Sequence, residues 1–294
     1  MQELLNAATL GSIYLLFALG MALPWGTIGV LNFAYGSTFM FSALVVHLVS
    51  KLVVLPMLGA LLLAVLIGAV ISVLTQLLVF QPIVKRSRSH HQAELRVIIG
   101  GIGVSAIPLA IAEKVTVNAP FGIRSSYEAT VIEIAGLRVS STGLIIIVVG
   151  LAIGIGVTIW LRRSKQGLAL RGIGTDAETA QGMGVNRDLL GLGTMAVAGA
   201  LAGLAGGLLT FYLSAISPES GDTLLIKAFA IIVLGGLGSM GGVILGAYVL
   251  AGAETIMTVT GQGSWVDAAA FGLIFVILLL RPQGLFGRKE VRRT

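Results

Sequence analysis

An all-α polytopic membrane protein is the fold class predicted for this 294-residue chain, and three observations predict it. The chain is 56% hydrophobic and only 11% charged, with a mean hydropathy of +0.99, whereas soluble domains carry about 25% charged residues. Apolar runs of about 20 residues recur, each able to cross roughly 30 Å of hydrocarbon as a helix. The polar–apolar alternation over segments of about ten residues that marks a membrane β-barrel is absent.

Taken in order, the first run, 4–23, is retained as a span. The first basic residue is Lys51, so the positive leader of a cleavable signal is missing. Runs at 36–55 and 57–80 follow, ending at a basic segment that holds Lys85, Arg86, Arg88 and Arg96. The next run, 97–117, leads to the charge-balanced stretch 118–141. Run 142–161 ends at a second basic segment with Arg162, Arg163, Lys165, Arg171 and Arg187. Runs 189–216, 224–238, 242–258 and 265–280 complete the chain before a basic tail with Arg281, Arg288, Lys289, Arg292 and Arg293. Fourteen of the 19 Lys and Arg fall in those three clusters. Short loops rich in Lys and Arg stay in the cytoplasm, which places the N-terminus outside, the C-terminus inside, and predicts nine crossings. Eight is the alternative, because 24–35 and 224–242 read as broken or re-entrant pieces. The whole chain, 1–294, reads as a single transmembrane domain.

The net charge of +6 is therefore topological, and no nucleic-acid partner is expected. Without cysteine, disulfides, thiol catalysis and zinc–thiolate sites are excluded. His47, His90 and His91 lack metal-ligand partners at a suitable spacing, so no metal is expected.

Forty glycines are about twice the usual share. Several recur every fourth residue: Gly150/Gly154, Gly199/Gly203/Gly207 and Gly238/Gly242/Gly246. Small residues on one face let helices approach closely in lipid, and packing within the subunit is the reading adopted, with a second membrane subunit as the alternative. The decapeptide "VLGGLGSMGG" (233–242) holds five glycines, each costing about 1 kcal/mol in a helix interior relative to Ala. Broken backbone at membrane depth survives where protein buries it or where it lines a cavity, and transport sites are often built from such helices. With "LNFAYGS" (31–37), this makes two breaks. They nominate Asn32, Tyr35, Gly36, Ser37, Gly235, Gly236, Gly238, Ser239, Gly241 and Gly242 as a substrate pathway.

Glu113, Lys114, Lys227 and Glu254 fall in or near the spans, where an ionisable group is costly. Interfacial snorkelling or local pairing is the reading adopted; proton coupling is the alternative. No nucleophile–base pair accompanies them, so the chain is not expected to be an enzyme.

One water-loving segment, "RRSKQGLALRGIGTDAETAQGMGVNRD" (162–188), stands between greasy runs. Thr175 followed by Glu178 reads as a capping box, with Asp176 favoured in the first turn by the helix dipole. A short helix over 176–183 is predicted, ended by Gly184 with Val185 as an apolar contact. A helix so defined suits a grip by a separate protein.

The arrangement Ala177, Ala180 and Gly184 after Arg171 resembles the coupling loop of ABC-importer membrane subunits. "GSIYLLFALGMAL" (11–23), "GVLNFAYGSTFM" (29–40), "AFAIIVLGGLGSMGGVILGAYVL" (228–250) and "RPQGLFG" (281–287) resemble the branched-chain amino acid permease family of the LivH type, over essentially the whole chain. The resemblance implies a type II-like importer fold in a bacterial inner membrane. It also implies a paired LivM-type permease, two cytoplasmic ATP-binding subunits and an extracytoplasmic substrate-binding protein. Arg171, Thr175, Asp176, Ala177, Glu178, Ala180 and Gly184 would then couple to the ATPase. The chain has no G-x-x-x-x-G-K-[ST] loop, so ATP and Mg²⁺ would be held by the partner subunits and no cofactor by this chain. Relatives often carry His at the position of Tyr35 and an acid at that of Ser37, which leaves leucine, isoleucine and valine in competition with other amino acids, amides, urea and aromatic acids. The rival readings are an ion-coupled secondary transporter and a channel for small amides or urea. A channel of the aquaporin kind would need two Asn-Pro-Ala elements, and the chain has none.

Overall fold

The computed structural model describes residues 2–87, 89–134, 137–236, 238–281 and 283–286. Arg88, Leu237 and the tail residues Arg288, Lys289, Arg292 and Arg293 lie outside the described residues, as do the side chains of His90, His91 and Glu178.

The expected helices form where the apolar runs are. α1 (Gln2–Ile28), α2 (Tyr35–Leu52) and α3 (Met57–Thr75) are followed by a π-helical turn (Gln76–Phe80) and α4 (Gln81–Arg86). α5 (His90–Thr116), α6 (Ser141–Arg163), α7 (Lys165–Thr175), α8 (Ala177–Gly182) and α9 (Arg187–Leu213) come next. α10 (Ser220–Gly235), α11 (Met240–Val259) and α12 (Val266–Leu280) complete the set. Among the described residues, six helical segments are long and apolar enough to cross a membrane: 2–28, 57–86, 92–116, 141–163, 187–213 and 240–259. The other three expected crossings are shorter, at 18, 16 and 15 residues for α2, α10 and α12. At 1.5 Å per residue, α10 spans only about 24 Å. The protein is an all-α polytopic membrane protein.

A small departure lies in the stretch 118–141. There β1 (Val131–Ile134) and β2 (Leu137–Ser140) pair antiparallel, with Ile132 opposite Val139. The alternation is too short to register in a sequence scan dominated by helical runs. Upstream of this hairpin, the chain bridges from Leu55 to Ser125 and from Phe121 to Ile216, lying across the ends of α2, α3 and α9.

α1 occupies the centre. Its residues from Ile13 to Leu23 are buried on every side, as expected of a helix hydrophobic all round, and it contacts α6, α9, α10 and α11. α3 is two-faced. Leu58, Leu62, Leu66, Val70 and Leu74 form an exposed stripe at four-residue spacing, which suits lipid. Its other face carries Ala60, Ala64 and Gly68, buried against α9.

The glycine stripes are packing surfaces. A Cβ on Gly199 would overlap the Gly68 carbonyl, and one on Gly203 would overlap that of Ala64. Gly150 lies against Ser12 and Gly154 against Leu15, while Gly242 meets the backbone of Gly235. Close helix approach within this subunit therefore accounts for these glycines.

Candidate functional site: two helix breaks and a capped two-helix loop

Both expected breaks are present. After Ile28 the chain leaves α1, with Gly29 at φ 69°, and returns so that α2 begins beside the middle of α1. Tyr35, the first residue of α2, stacks on Phe17 with ring centroids 4.7 Å apart, and Gly20 leaves room for its hydroxyl. Gly36 packs backbone-to-backbone on Gly221, at the start of α10. The Asn32 Oδ1 accepts from the Ala34 N–H at 2.9 Å, tying the turn before α2. The Ser37 hydroxyl donates to the Ala34 carbonyl at 2.9 Å.

Asn32, Tyr35 and Ser37 are all buried. Their polar atoms serve the turn, except the Tyr35 hydroxyl, which has no hydrogen-bond partner among the described residues.

The second break separates α10 from α11. Gly236 and Gly238 take φ 95° and 79°, and the Ser239 hydroxyl caps α11 by accepting from the Gly242 N–H at 3.1 Å. The carbonyls freed by the break are taken up by the chain's own end. The Leu285 N–H donates to Leu234 at 2.9 Å, and the Phe286 N–H donates to Gly235 at 3.1 Å. Leu285 and Phe286 of that motif thus satisfy broken backbone that lipid would leave without partners. Crowding is not uniform along the break. Gly235 and Gly242 are pressed together, whereas added Cβ atoms on Gly238 and Gly241 would meet open space or a contact no closer than 3.9 Å. Gly238 is required by its φ, not by lack of room.

The two breaks adjoin. Gly26 lies against the Gly238 Cα, and Phe229 of α10 meets both Trp25 and Phe33, with centroids 5.8 and 5.5 Å apart.

The segment 162–188 folds as two helices rather than one. α7 was not foreseen. Ser164 caps it, accepting from the Gly167 N–H at 2.8 Å, and Leu170 and Ile173 are buried. Its local signal is the three-residue spacing of Leu170 and Ile173.

Because α7 runs through Thr175, the expected capping box at Thr175 does not form, and a simple side-chain cap sits one residue later. The Thr175 hydroxyl donates back to the Arg171 carbonyl at 3.0 Å. Asp176 is the cap, its Oδ1 accepting from the Thr179 N–H at 3.1 Å. Ala177 and Ala180 face the core.

The far end of α8 is as expected. Gly184 takes φ 86°. The Val185 N–H donates to Ala180 at 3.1 Å and the Gly184 N–H to Gln181 at 2.9 Å, the pair of bonds of a Schellman end. Thr179, Gly182 and Met183 are exposed, Met183 at 75%. Arg171 is exposed but bonded to its own backbone surroundings. It donates to the Gly167 carbonyl at 3.3 Å and to the Arg162 carbonyl at 3.2 Å, closing the end of α6.

Gly184→Val is expected to cost about 1–2 kcal/mol, the usual price of a non-glycine residue held in the left-handed region. Gly184→Asn is expected to cost far less. Hydrogen exchange of the amides in 177–185 checks this, and equal protection in both variants would refute it.

A buried charge cluster joins α1, α10 and α11. The Lys227 Nζ lies 2.9 Å from Glu254 Oε1 and 3.0 Å from Oε2, and donates to the Tyr14 hydroxyl at 2.9 Å. Tyr14 in turn donates to Glu254 Oε2 at 2.7 Å. Glu254 is 3% exposed. Lys227 and Glu254 therefore pair locally, and Lys227 does not snorkel to an interface. Sequence separation hid the partnership, since Tyr14 and Glu254 are 240 positions apart. Among the described residues, no group of three or more His, Asp or Glu could hold a metal ion.

Against known proteins, residues 3–280 match the family described as the branched-chain amino acid transport system / permease component. The chain is 30% identical to the high-affinity branched-chain amino acid transport system permease protein BraD of Pseudomonas aeruginosa, over 100% of this chain and 98% of that one. It is 28% identical to the corresponding permease protein LivH of Salmonella typhimurium, over 100% and 97%. Over 42% of this chain and 29% of the other, it is 33% identical to the permease protein LivM of the same organism. No solved structure matches. With a family match and full-length relatives covering the broken helices and the two-helix loop alike, the chain belongs to the branched-chain amino acid transport permease family.

Proposed function

We propose that this chain is the membrane-spanning permease subunit of an ATP-driven importer for branched-chain or related hydrophobic amino acids. The observation that carries the proposal is α8: a helix with a side-chain cap at one end and a Schellman end at the other, lodged on α7 with Thr179 and Met183 outward. A helix of only six residues is marginal by itself. Both caps and the buried Ala180 favour a rigid knob, which suits seating in a groove of another protein.

In this reading the loop faces the cytoplasm of a bacterial inner-membrane protein, with the N-terminus outside and the C-terminus inside. Arg171 positions α7, Asp176 and Gly184 define α8, and the two-helix unit passes motion to α6 and α9 at its ends. Two ATP-binding subunits supply the energy with their own ATP and Mg²⁺. A LivM-type permease completes the membrane pair, and an extracytoplasmic binding protein delivers substrate. The single transmembrane domain contributes a route bordered by the adjoining breaks, Asn32 to Ser37 on one side and Gly235 to Gly242 on the other.

The test is reconstitution. The complex that co-purifies with this chain, placed in proteoliposomes with its binding protein, should take up leucine only when ATP and Mg²⁺ are supplied on the α7–α8 side. Gly184→Val should lower uptake per ATP hydrolysed by several-fold without changing the order of preferred substrates. Uptake driven by an ion gradient in the absence of ATP would refute the proposal.

A further inference from the structure

Beside α8 lies a cavity of about 580 Å³, within the range of about 300–1,000 Å³ typical of small-molecule sites. Four parts of the chain wall it: the α1–α2 link, the π-helical turn with α4, the α8–α9 link, and the start of α9. Its polar equipment is specific. Gln76 lies in the lining on the π-helical turn, a distortion frequent at functional sites. The Gln76 side chain is buried, with the residue 8% exposed, and its Oε1 has no hydrogen-bond partner among the described residues. A buried carbonyl without a donor costs about 1–3 kcal/mol, so a ligand N–H brought to it by a turn of the Gln76 side chain would be favoured.

Lys85 and Asp188, also in the lining, pair at 2.9 Å with side chains 59% and 51% exposed. Such exposed pairs are worth little and are readily divided by a ligand that offers each partner a better counter-charge. The rest of the wall includes four aliphatic side chains, Ile28, Val30, Val84 and Val185, and no aromatic one.

We propose that this cavity binds a zwitterionic aliphatic α-amino acid from the α7–α8 side of the membrane. The carboxylate goes to Lys85, the ammonium group to Asp188 and the Gln76 carbonyl, and the branched side chain to the aliphatic wall. A simple anion such as a phosphate or lipid headgroup meets the Asp188 carboxylate beside its cation. A simple cation meets Lys85 and Arg187. Only a ligand carrying both charges satisfies the pair. The inference rests on the reading of the chain as an amino-acid permease, and it adds a product-side site next to the helix proposed to meet the ATPase. Occupancy there would slow import as the internal amino acid accumulates.

Equilibrium binding of radiolabelled leucine to the co-purified complex in nanodiscs, without the binding protein, tests the site directly. Saturable binding is expected, weakened at least tenfold by Lys85→Gln and by Asp188→Asn, and several-fold by Gln76→Leu. Leucinamide and 4-methylpentanoate, each lacking one charge, are expected to compete at least tenfold more weakly than leucine. No saturable binding, equal binding by the variants, or equal competition by 4-methylpentanoate or glycerol phosphate would overturn the proposal. Proteoliposome uptake separates the two readings. Normal uptake into empty vesicles that is undiminished in leucine-loaded vesicles removes this site and leaves the transport function standing. Absence of uptake under any condition removes the function, while the binding measurement still decides the site.

Discussion

Glu254→Ala and Lys227→Ala are each expected to destabilise the protein by about 3–5 kcal/mol, because each strands an unpaired charge in the interior. The two groups are held by contacts of 2.9 and 3.0 Å and share the Tyr14 hydroxyl, so removing one leaves the other without this counter-charge. The double change Lys227→Met/Glu254→Met removes both charges together and is expected to recover most of the loss, since replacing a buried pair with apolar groups is often neutral or stabilising. Thermal melting of the purified protein in detergent should show drops on the order of 10 °C for the single variants and a clear rebound for the double variant. Single variants that melt with the parent would show that the pair does not hold α1, α10 and α11 together.

The second large effect is expected at the α3–α9 crossing. Gly203→Val puts a branched side chain into the Ala64 carbonyl, backbone against backbone. No rotamer relieves such an overlap, so the helices must part. The loss should reach or exceed about 3 kcal/mol, the upper end of ordinary overpacking, and even Gly203→Ala should destabilise. Gly193 of the same helix is the internal control, because a Cβ there meets nothing within 4 Å. Gly193→Ala is expected to be neutral or to stabilise by up to about 1 kcal/mol through helix propensity. Monodispersity on size-exclusion chromatography and melting temperature report both. Equal behaviour of the two alanine variants would show that the crossing is not tight.

The α7–α8 loop shows where local reading succeeds and where it stops. Gly184 was legible because a left-handed helix end followed by an apolar residue is a local pattern that does not depend on distant contacts. The cap was misplaced by one residue because α7 owes its stability to burial of Leu170 and Ile173, which no count of polar residues reveals. Once α7 extends through Thr175, the Thr175 hydroxyl is committed to the preceding turn, and the next acceptor, Asp176, takes the cap. The break at 235–239 was legible from glycine density alone. Its sealing by Leu285 and Phe286 joins segments about 50 residues apart and was not.

By itself, the sequence determined the membrane class, the order of helices, the two breaks and the capped loop, and its motifs carried the family resemblance. Each of these is written in short-range terms: apolar run length, clusters of Lys and Arg, glycine density, cap and end residues. Only the tertiary structure decided which partner each exceptional residue meets. It placed Tyr35 in the core against Phe17, closed the Lys227–Glu254–Tyr14 cluster, and gathered Gln76, Lys85 and Asp188 around one cavity. The physical reason is that a lipid environment constrains every helix to satisfy its own backbone, so helices are legible one at a time. Side-chain pairing depends on helix rotation and crossing depth, which contacts such as Gly203 on Ala64 and Gly36 on Gly221 set from opposite ends of the chain.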